Sequence, residues 1–307
     1  MDPRYVDAAR LLMQVAPTVF ASGTFALKGG TAINLFEQDM PRLSIDLDLV
    51  LRDGTLPRAD ALARIASTLR TAAVALRRER LRVEVPASAV GVESRLSIAG
   101  ERASIQVEVN LVLRGTVRPV REARLVPAAR AALLADTTLP VLSRDEIYGG
   151  KLVAALDRQH PRDLFDVDIL LGTSGIDDAI VECFVAYLAC HNRPIDEVLF
   201  APPKDIAATY RDHFTGMTTE EVPLDRLLEA RARILHELPR RLTAGQRTFL
   251  RTLARAEPDY AALGLPGFEH LPGIRWKFEN LRKLRETTPR KLEAQADALD
   301  RKLGELD

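Results

Sequence analysis

Residues 27–51, LKGGTAINLFEQDMPRLSIDLDLVL, constrain the fold more than any other stretch. Leu43, Ile45, Leu47 and Leu49 alternate there with Ser44, Asp46 and Asp48. Period-two alternation is that of a half-buried strand, with the polar side chains on one face and the aliphatics on the other. Two carboxylates side by side on a strand repel each other and do nothing for stability. A divalent cation neutralises that repulsion, and Mg²⁺ is commonly held by one or two carboxylates plus substrate phosphates. Upstream, a short apolar run ends in Lys28-Gly29-Gly30-Thr31, just before a helix-like stretch to Glu37. A Gly-Gly-Thr turn at a helix start offers backbone N–H groups and a hydroxyl to phosphates. Such a cradle beside an Asp-x-Asp is what nucleotidyl transfer needs. Lys28 reads either as a second phosphate contact or as a solvated lysine.

Composition narrows the partners. Across 307 residues, 43 Lys and Arg balance 43 Asp and Glu, so any nucleic-acid contact must be a local patch rather than a basic coat. The two cysteines, Cys183 and Cys190, read as buried free thiols on one helix face. No Cys/His cluster suggests zinc, and no histidine is assigned a role. No run of 18 apolar residues and no cleavage signature occurs, so the expectation is a cytoplasmic protein with no membrane span.

Along the chain, Asp2-Pro3 is expected to cap a first helix that Pro17 ends. A helix from Pro57 to about Arg80 and strands over 81–85 and 94–98 follow. Ala103–Leu113 alternates again, putting Gln106, Glu108 and Asn110 on one face. Arg114, Arg118, Arg121, Arg124 and Arg130, with Glu122 as the one nearby acid, read as a track for an RNA backbone or as a solvated surface. Ser143 and Glu146 have capping-box spacing before a helix to Asp157 that carries Lys151. The break at Gln159-His160-Pro161 leads to a second helix ending at Gly172, with Asp163 and Asp166 on one face. Arg158 and Arg162 offer them a structural ion network. The rest reads as helical, with Thr243 capping a helix from Ala244. From Ile274 to Lys291 seven Lys and Arg stand against two Glu, a net of +5. Trp276 is expected in the core there, with the cations free to meet RNA.

Gly29-Gly30 followed by Asp46-x-Asp48 resembles the nucleotidyltransferase superfamily of DNA polymerase β. With Thr31, Ala32 and the Arg42-x-Ser44 prefix, it is similar to the AbiEii/AbiGii toxins of type IV toxin–antitoxin systems, to which the MenT toxins are related. Two further groups carry the likeness: KLVAALDR with PRDLFD at 151–166, and Pro272 with Trp276-Lys277 and Asn280-Leu281. The resemblance runs from residue 25 to about 285. It implies an α+β protein, with a polymerase-β-like mixed sheet and helices over residues 1–135 and a mainly helical domain over 136–307. It implies Asp46 and Asp48 as metal ligands, with Glu108 as a third carboxylate that orients the attacking hydroxyl and helps hold a second metal. Gly29, Gly30, Thr31, Ser44 and Lys151 would bind the NTP triphosphate, and Asp163 or Asp166 would carry the aspartate motif. The implied reaction uses Mg²⁺ or Mn²⁺, takes NMP from NTP to an RNA acceptor, the tRNA 3′ end, and arrests translation and growth. A separately encoded antitoxin is implied. The residues alone leave open a small-molecule or protein acceptor, or a non-catalytic RNA-binding protein.

Overall fold

The computed structural model describes residues 3–86 and 91–306. Asp2, the expected cap of the first helix, lies outside the described residues. Two compact units emerge: the chain up to Ile147 with Thr215–Glu221, and Tyr148–Phe214 with the chain from Val222 onward.

The first unit is built on one mixed sheet. Its elements are α1 (Pro3–Phe20), β1 (Phe25–Lys28), α2 (Gly29–Phe36), β2 (Asp46–Leu51), α3 (Arg58–Arg78), β3 (Arg82–Glu84), β4 (Arg95–Ala99), β5 (Ser104–Val109), β6 (Arg121–Arg124), α4 (Pro127–Leu133) and β7 (Thr138–Val141). The strands lie in the order β3-β4-β5-β2-β1-β7-β6. β2 pairs parallel with β5 and antiparallel with β1, while β7 pairs parallel with β1. Alternation does what period two requires: Leu47, Leu96 and Val107 are all fully buried between polar neighbours. α1 packs against β2, β5 and β7, and α3 against β3 and β4. Each fully buried aliphatic contributes roughly 1.5–3 kcal/mol, so this face holds the layer together.

Pro17 does not end α1, which runs on to Phe20 with the proline inside it. A proline so near the C-terminus forfeits only its own N–H bond, and Val15, Ala16, Val19 and Phe20 continue the buried stripe. The strand expected over 103–113 stops at Val109. There Asn110 turns the chain by accepting from the N–H groups of Val112 and Leu113, both at 2.9 Å.

α5 (Arg144–Asp157) begins with Ser143 accepting from the Glu146 N–H at 3.2 Å, and the division between the units falls within it. Glu146 turns its two carboxylate oxygens to the Val117 and Arg118 N–H groups, at 2.9 and 3.0 Å. The second unit is helical: α6 (Pro161–Gly172), α7 (Asp178–Ala189), α8 (Ile195–Leu199), α9 (Ala207–His213), α10 (Leu224–Arg241), α11 (Ala244–Ala254), α12 (Tyr260–Leu263), a 3₁₀ turn at Phe268–His270, α13 (Pro272–Thr287) and α14 (Pro289–Gly304). Thr243 and Gln246 complete a reciprocal capping box at α11. Gly149 lets α5 lie directly on α7, since a Cβ there would stand 2.7 Å from the Phe184 backbone nitrogen.

Candidate active site

The turn from β1 into α2 is shaped by one contact. Gly29 has φ +75°, a left-handed conformation, and a Cβ on it would overlap Asp48 Oδ2 and lie 3.1 Å from Asp48 Cγ. The Asp48 carboxylate therefore rests on the Gly29 backbone, at the first residue of α2. Gly30 is hemmed in likewise, because its Cβ would stand 2.8 Å from Arg42 Nη2 and 3.0 Å from Ser44 Oγ. The sequence-derived cradle residues Gly29, Gly30, Ser44, Asp46 and Asp48 thus meet around one turn.

Thr31 is part of that turn in another way than the sequence suggests. Its hydroxyl donates to the Asp46 carbonyl at 2.6 Å and is almost fully buried. A hydroxyl has one proton to give, and here Thr31 uses it to tie α2 to the start of β2. Arg42, in the same prefix, is 2% exposed and donates from Nη1 to the Leu43 carbonyl at 3.0 Å. The 41–43 loop is held by the returning segment: Leu43 N–H donates to the Met217 carbonyl at 3.0 Å and Thr219 N–H to the Pro41 carbonyl at 3.2 Å. Nothing in the local sequence signals that support, which comes from more than 170 residues away.

Sheet register places the other charges. Asp46 lies beside Gln106 and Asp48 beside Glu108 on the parallel neighbour β5. Lys28 opposes Asp48 on β1, and Arg95 opposes Glu108 on β4. Registered partners share a face, so one row crosses four strands as Arg95, Glu108, Asp48 and Lys28. Two like charges sit at its centre with a cation at either end. Glu108 Oε1 pairs with Arg95 Nη2 at 3.0 Å, both side chains about half exposed. Among the described residues no group of three or more His, Cys, Asp or Glu side chains is placed to hold a metal ion. The third carboxylate is therefore engaged by Arg95 and not gathered with the pair. Asp46 and Asp48 remain, two hard oxygen donors on one face beside a backbone turn that suits phosphate, and this set fits Mg²⁺ or Mn²⁺ completed by substrate oxygens.

In the second unit, Lys151, Asp163 and Asp166 come together as one buried network. Lys151 Nζ lies 2.8 Å from Asp163 Oδ1 and 2.9 Å from Asp166 Oδ2, with all three side chains no more than 6% exposed. Arg158 adds a two-pronged pair to Asp163, so two cations balance two carboxylates. Burial alone would raise the Asp163 pKa, but Lys151 and Arg158 outweigh it and hold the carboxyl well below its ordinary value. Arg162 makes no ion pair with it, and its backbone N–H donates to His160 Nδ1 at 3.1 Å. His160 is thus the N-cap of α6, a role the sequence reading did not assign. Burial, reinforced by Arg162, pushes its pKa down to about 4, so the imidazole is neutral and free to accept.

α13 inverts the expectation for its motif. Trp276 is 39% exposed, whereas Lys277 is 4% exposed and donates from Nζ to the His191 and Arg193 carbonyls, both at 2.8 Å. Adjacent helix positions lie about 100° apart, and the two carbonyls in the loop between α7 and α8 draw the lysine inward. Of the arginine series, Arg121 pairs with Glu37 and Arg124 with Asp136.

The chain belongs to the AbiEii family, described as the nucleotidyl transferase AbiEii toxin of type IV toxin–antitoxin systems, which it matches over residues 10–280. Among solved structures it is similar to MenT4, a nucleotidyltransferase toxin from Mycobacterium tuberculosis H37Rv. That likeness has a TM-score of 0.59 at 16% identity and covers 85% of this chain and 92% of the other, so it shows a shared fold. No curated protein matches the sequence. Among the described residues, no helix is long and apolar enough to cross a membrane.

Proposed function

We propose that this toxin transfers a nucleoside monophosphate from an NTP to an RNA acceptor, the tRNA 3′ end, in a Mg²⁺-dependent reaction that arrests translation and growth. The observation that carries this reading is the Asp48 carboxylate resting on the Gly29 backbone at the first residue of α2. In this reading that oxygen would hold the cation beside helix-start N–H groups that would face a phosphate. Asp46 and Asp48 would hold the cation. When bound, it supplies Lewis acidity and charge neutralisation at the α-phosphate. The Gly29–Gly30 backbone and Ser44 position the triphosphate, and Lys28 adds positive charge at the end of the row. Glu108 orients the attacking hydroxyl once it leaves Arg95. The acceptor oxygen bonds to the α-phosphorus, the bond to the β-phosphate bridge breaks, pyrophosphate leaves and the hydroxyl proton is released. As in phosphoryl transfer generally, the protein contributes position and electrostatics.

For Lys151, Asp163 and Asp166 we propose a joint catalytic contribution as a single ion network. Family membership also implies a separately encoded antitoxin.

The test is incubation of the protein with Mg²⁺, each α-labelled NTP in turn and total bacterial RNA. Label in tRNA-sized bands that disappears with Asp46→Asn supports the reading and names the base. A protein that arrests growth on expression yet labels no RNA would overturn the acceptor and direct the search to proteins and small molecules.

A further inference from the structure

Arg114 is a buried cation without a counterion. It is 8% exposed, its Nε and Nη1 are buried with no hydrogen-bond partner, and no carboxylate pairs with it among the described residues. Slack in the chain does not explain this. The loop after β5 is pinned by Asn110 N–H to the Leu49 carbonyl at 3.0 Å, Gly115 N–H to the Leu51 carbonyl at 2.8 Å and the two bonds to Glu146. Gly54 packs against it, since a Cβ there would lie 2.9 Å from Gly115 Cα. The turn leading into α3 is thereby held at Arg114.

The other charged groups near that spot are Arg58, Asp53 and Asp60. Burial weakens Arg114's hold on its proton, and Arg58, the exposed first residue of α3, is close enough to repel it and weaken that hold further. The N-cap of α3 is Pro57, which supplies no side-chain cap, so the first-turn N–H groups lack that partner. Asp53 gives its carboxylate to the N–H and hydroxyl of Thr55, at 2.9 and 2.6 Å. Asp60, in the first turn, pairs with neither arginine. An unpaired buried guanidinium is costly, and a fold that retains one beside a second arginine and an open helix start is complementary to an anion.

We propose that Arg114, Arg58 and the first turn of α3 bind a phosphate-class oxyanion at a site separate from the Gly29–Asp48 turn. Gly115 is bonded to Leu51, three residues along β2 from Asp48, so the two positions stand about 10 Å apart along the strand. The anion is either a free phosphate or a phosphodiester of an RNA backbone, and the site does not depend on nucleotidyl transfer. Arginine suits both sources, because its planar fork matches phosphate oxygens.

The experiment uses the full chain with Arg114→Met, which keeps the apolar stem, Arg58→Gln, which alters an exposed residue, and Asp48→Asn. Inorganic phosphate is titrated at constant ionic strength against the thermal midpoint, and a labelled single-stranded RNA is titrated by fluorescence anisotropy. Wild type and Asp48→Asn are expected to respond saturably to at least one probe. Arg114→Met is expected to raise the half-saturating concentration about tenfold or more. A phosphate response identifies the free anion. A response to RNA alone, with the salt dependence reduced by about one charge in Arg114→Met, identifies the backbone. If Arg114→Met does not fold, weaker binding by Arg58→Gln carries the proposal. No saturable response in wild type, or unaltered binding in the variants that fold, overturns it.

Discussion

Gly29→Ala separates the two demands that the β1–α2 turn places on its glycine. An L-residue at φ +75° costs about 1–2 kcal/mol. The new Cβ would also overlap Asp48 Oδ2, with Asp48 Cβ and Cγ both at 3.1 Å, so the carboxylate must swing away from the turn. The backbone cost should lower the thermal midpoint by a few degrees, at about 2–4 °C per kcal/mol for a unit of this size. Displacing a reacting group by about 1 Å costs on the order of 10²-fold in rate. Gly23→Ala supplies the control: Gly23 has φ +66° with no atom within 4 Å of its Cβ position, so it carries the same backbone cost without the contact. The expected result is a similar fall in midpoint for both variants, with kcat/KM for label transfer reduced about 100-fold only in Gly29→Ala. If Gly29→Ala keeps kcat/KM within about threefold of wild type while folding normally, the Asp48 position is not what the turn serves.

Three further outcomes follow from the buried charges. Lys151→Met removes the buried cation that Asp163 and Asp166 share and should cost about 3–5 kcal/mol in urea unfolding; a loss below about 1 kcal/mol would contradict the network. His160 has a folded pKa below its ordinary value, so its contribution is complete above about pH 6.5 and is lost as pH falls toward 4. That should remove about 1–2 kcal/mol after solvent screening, with a further loss below about pH 4 as Asp163 is protonated, and His160→Asn should keep the cap and abolish the first step. Lys277 is pushed down to about 8 by burial, so the unfolded chain binds its proton more readily between pH 8 and 10.5. This group alone should therefore add up to about 3 kcal/mol across that window, while burial pushes the Cys190 thiol up to about 12 and takes stability away above about pH 9; the expected readout is a wild-type advantage over Lys277→Met that grows from pH 8 to 10.5.

What the sequence made legible was local. Alternation from Leu43 to Leu49 locates β2 and its polar face, Thr243 marks the start of α11, and the spacing of Lys151, Asp163 and Asp166 foreshadows their meeting. What escaped depends on partners distant in the chain. Thr31 could serve a phosphate or a backbone carbonyl, and only the placement of Asp46 decides between them. Glu108 reads the same on its strand whether or not Arg95 lies opposite, which depends on the β4–β5 register. Trp276 and Lys277 are neighbours on a helix, and either could face inward until the His191 and Arg193 carbonyls are in place. The sequence's arginine series likewise says nothing of Glu37 or Asp136, which neutralise two of its members.

The central claim is that Asp46 and Asp48 bind a divalent cation together with a nucleotide triphosphate. The most direct measurement is Mn²⁺ binding, followed by electron paramagnetic resonance, with and without a non-hydrolysable NTP analogue. The account predicts that wild type sequesters Mn²⁺ more tightly when the analogue is present, and that Asp46→Asn and Asp48→Asn each lose this enhancement while remaining folded. Equal Mn²⁺ sequestration by wild type and both variants would contradict it.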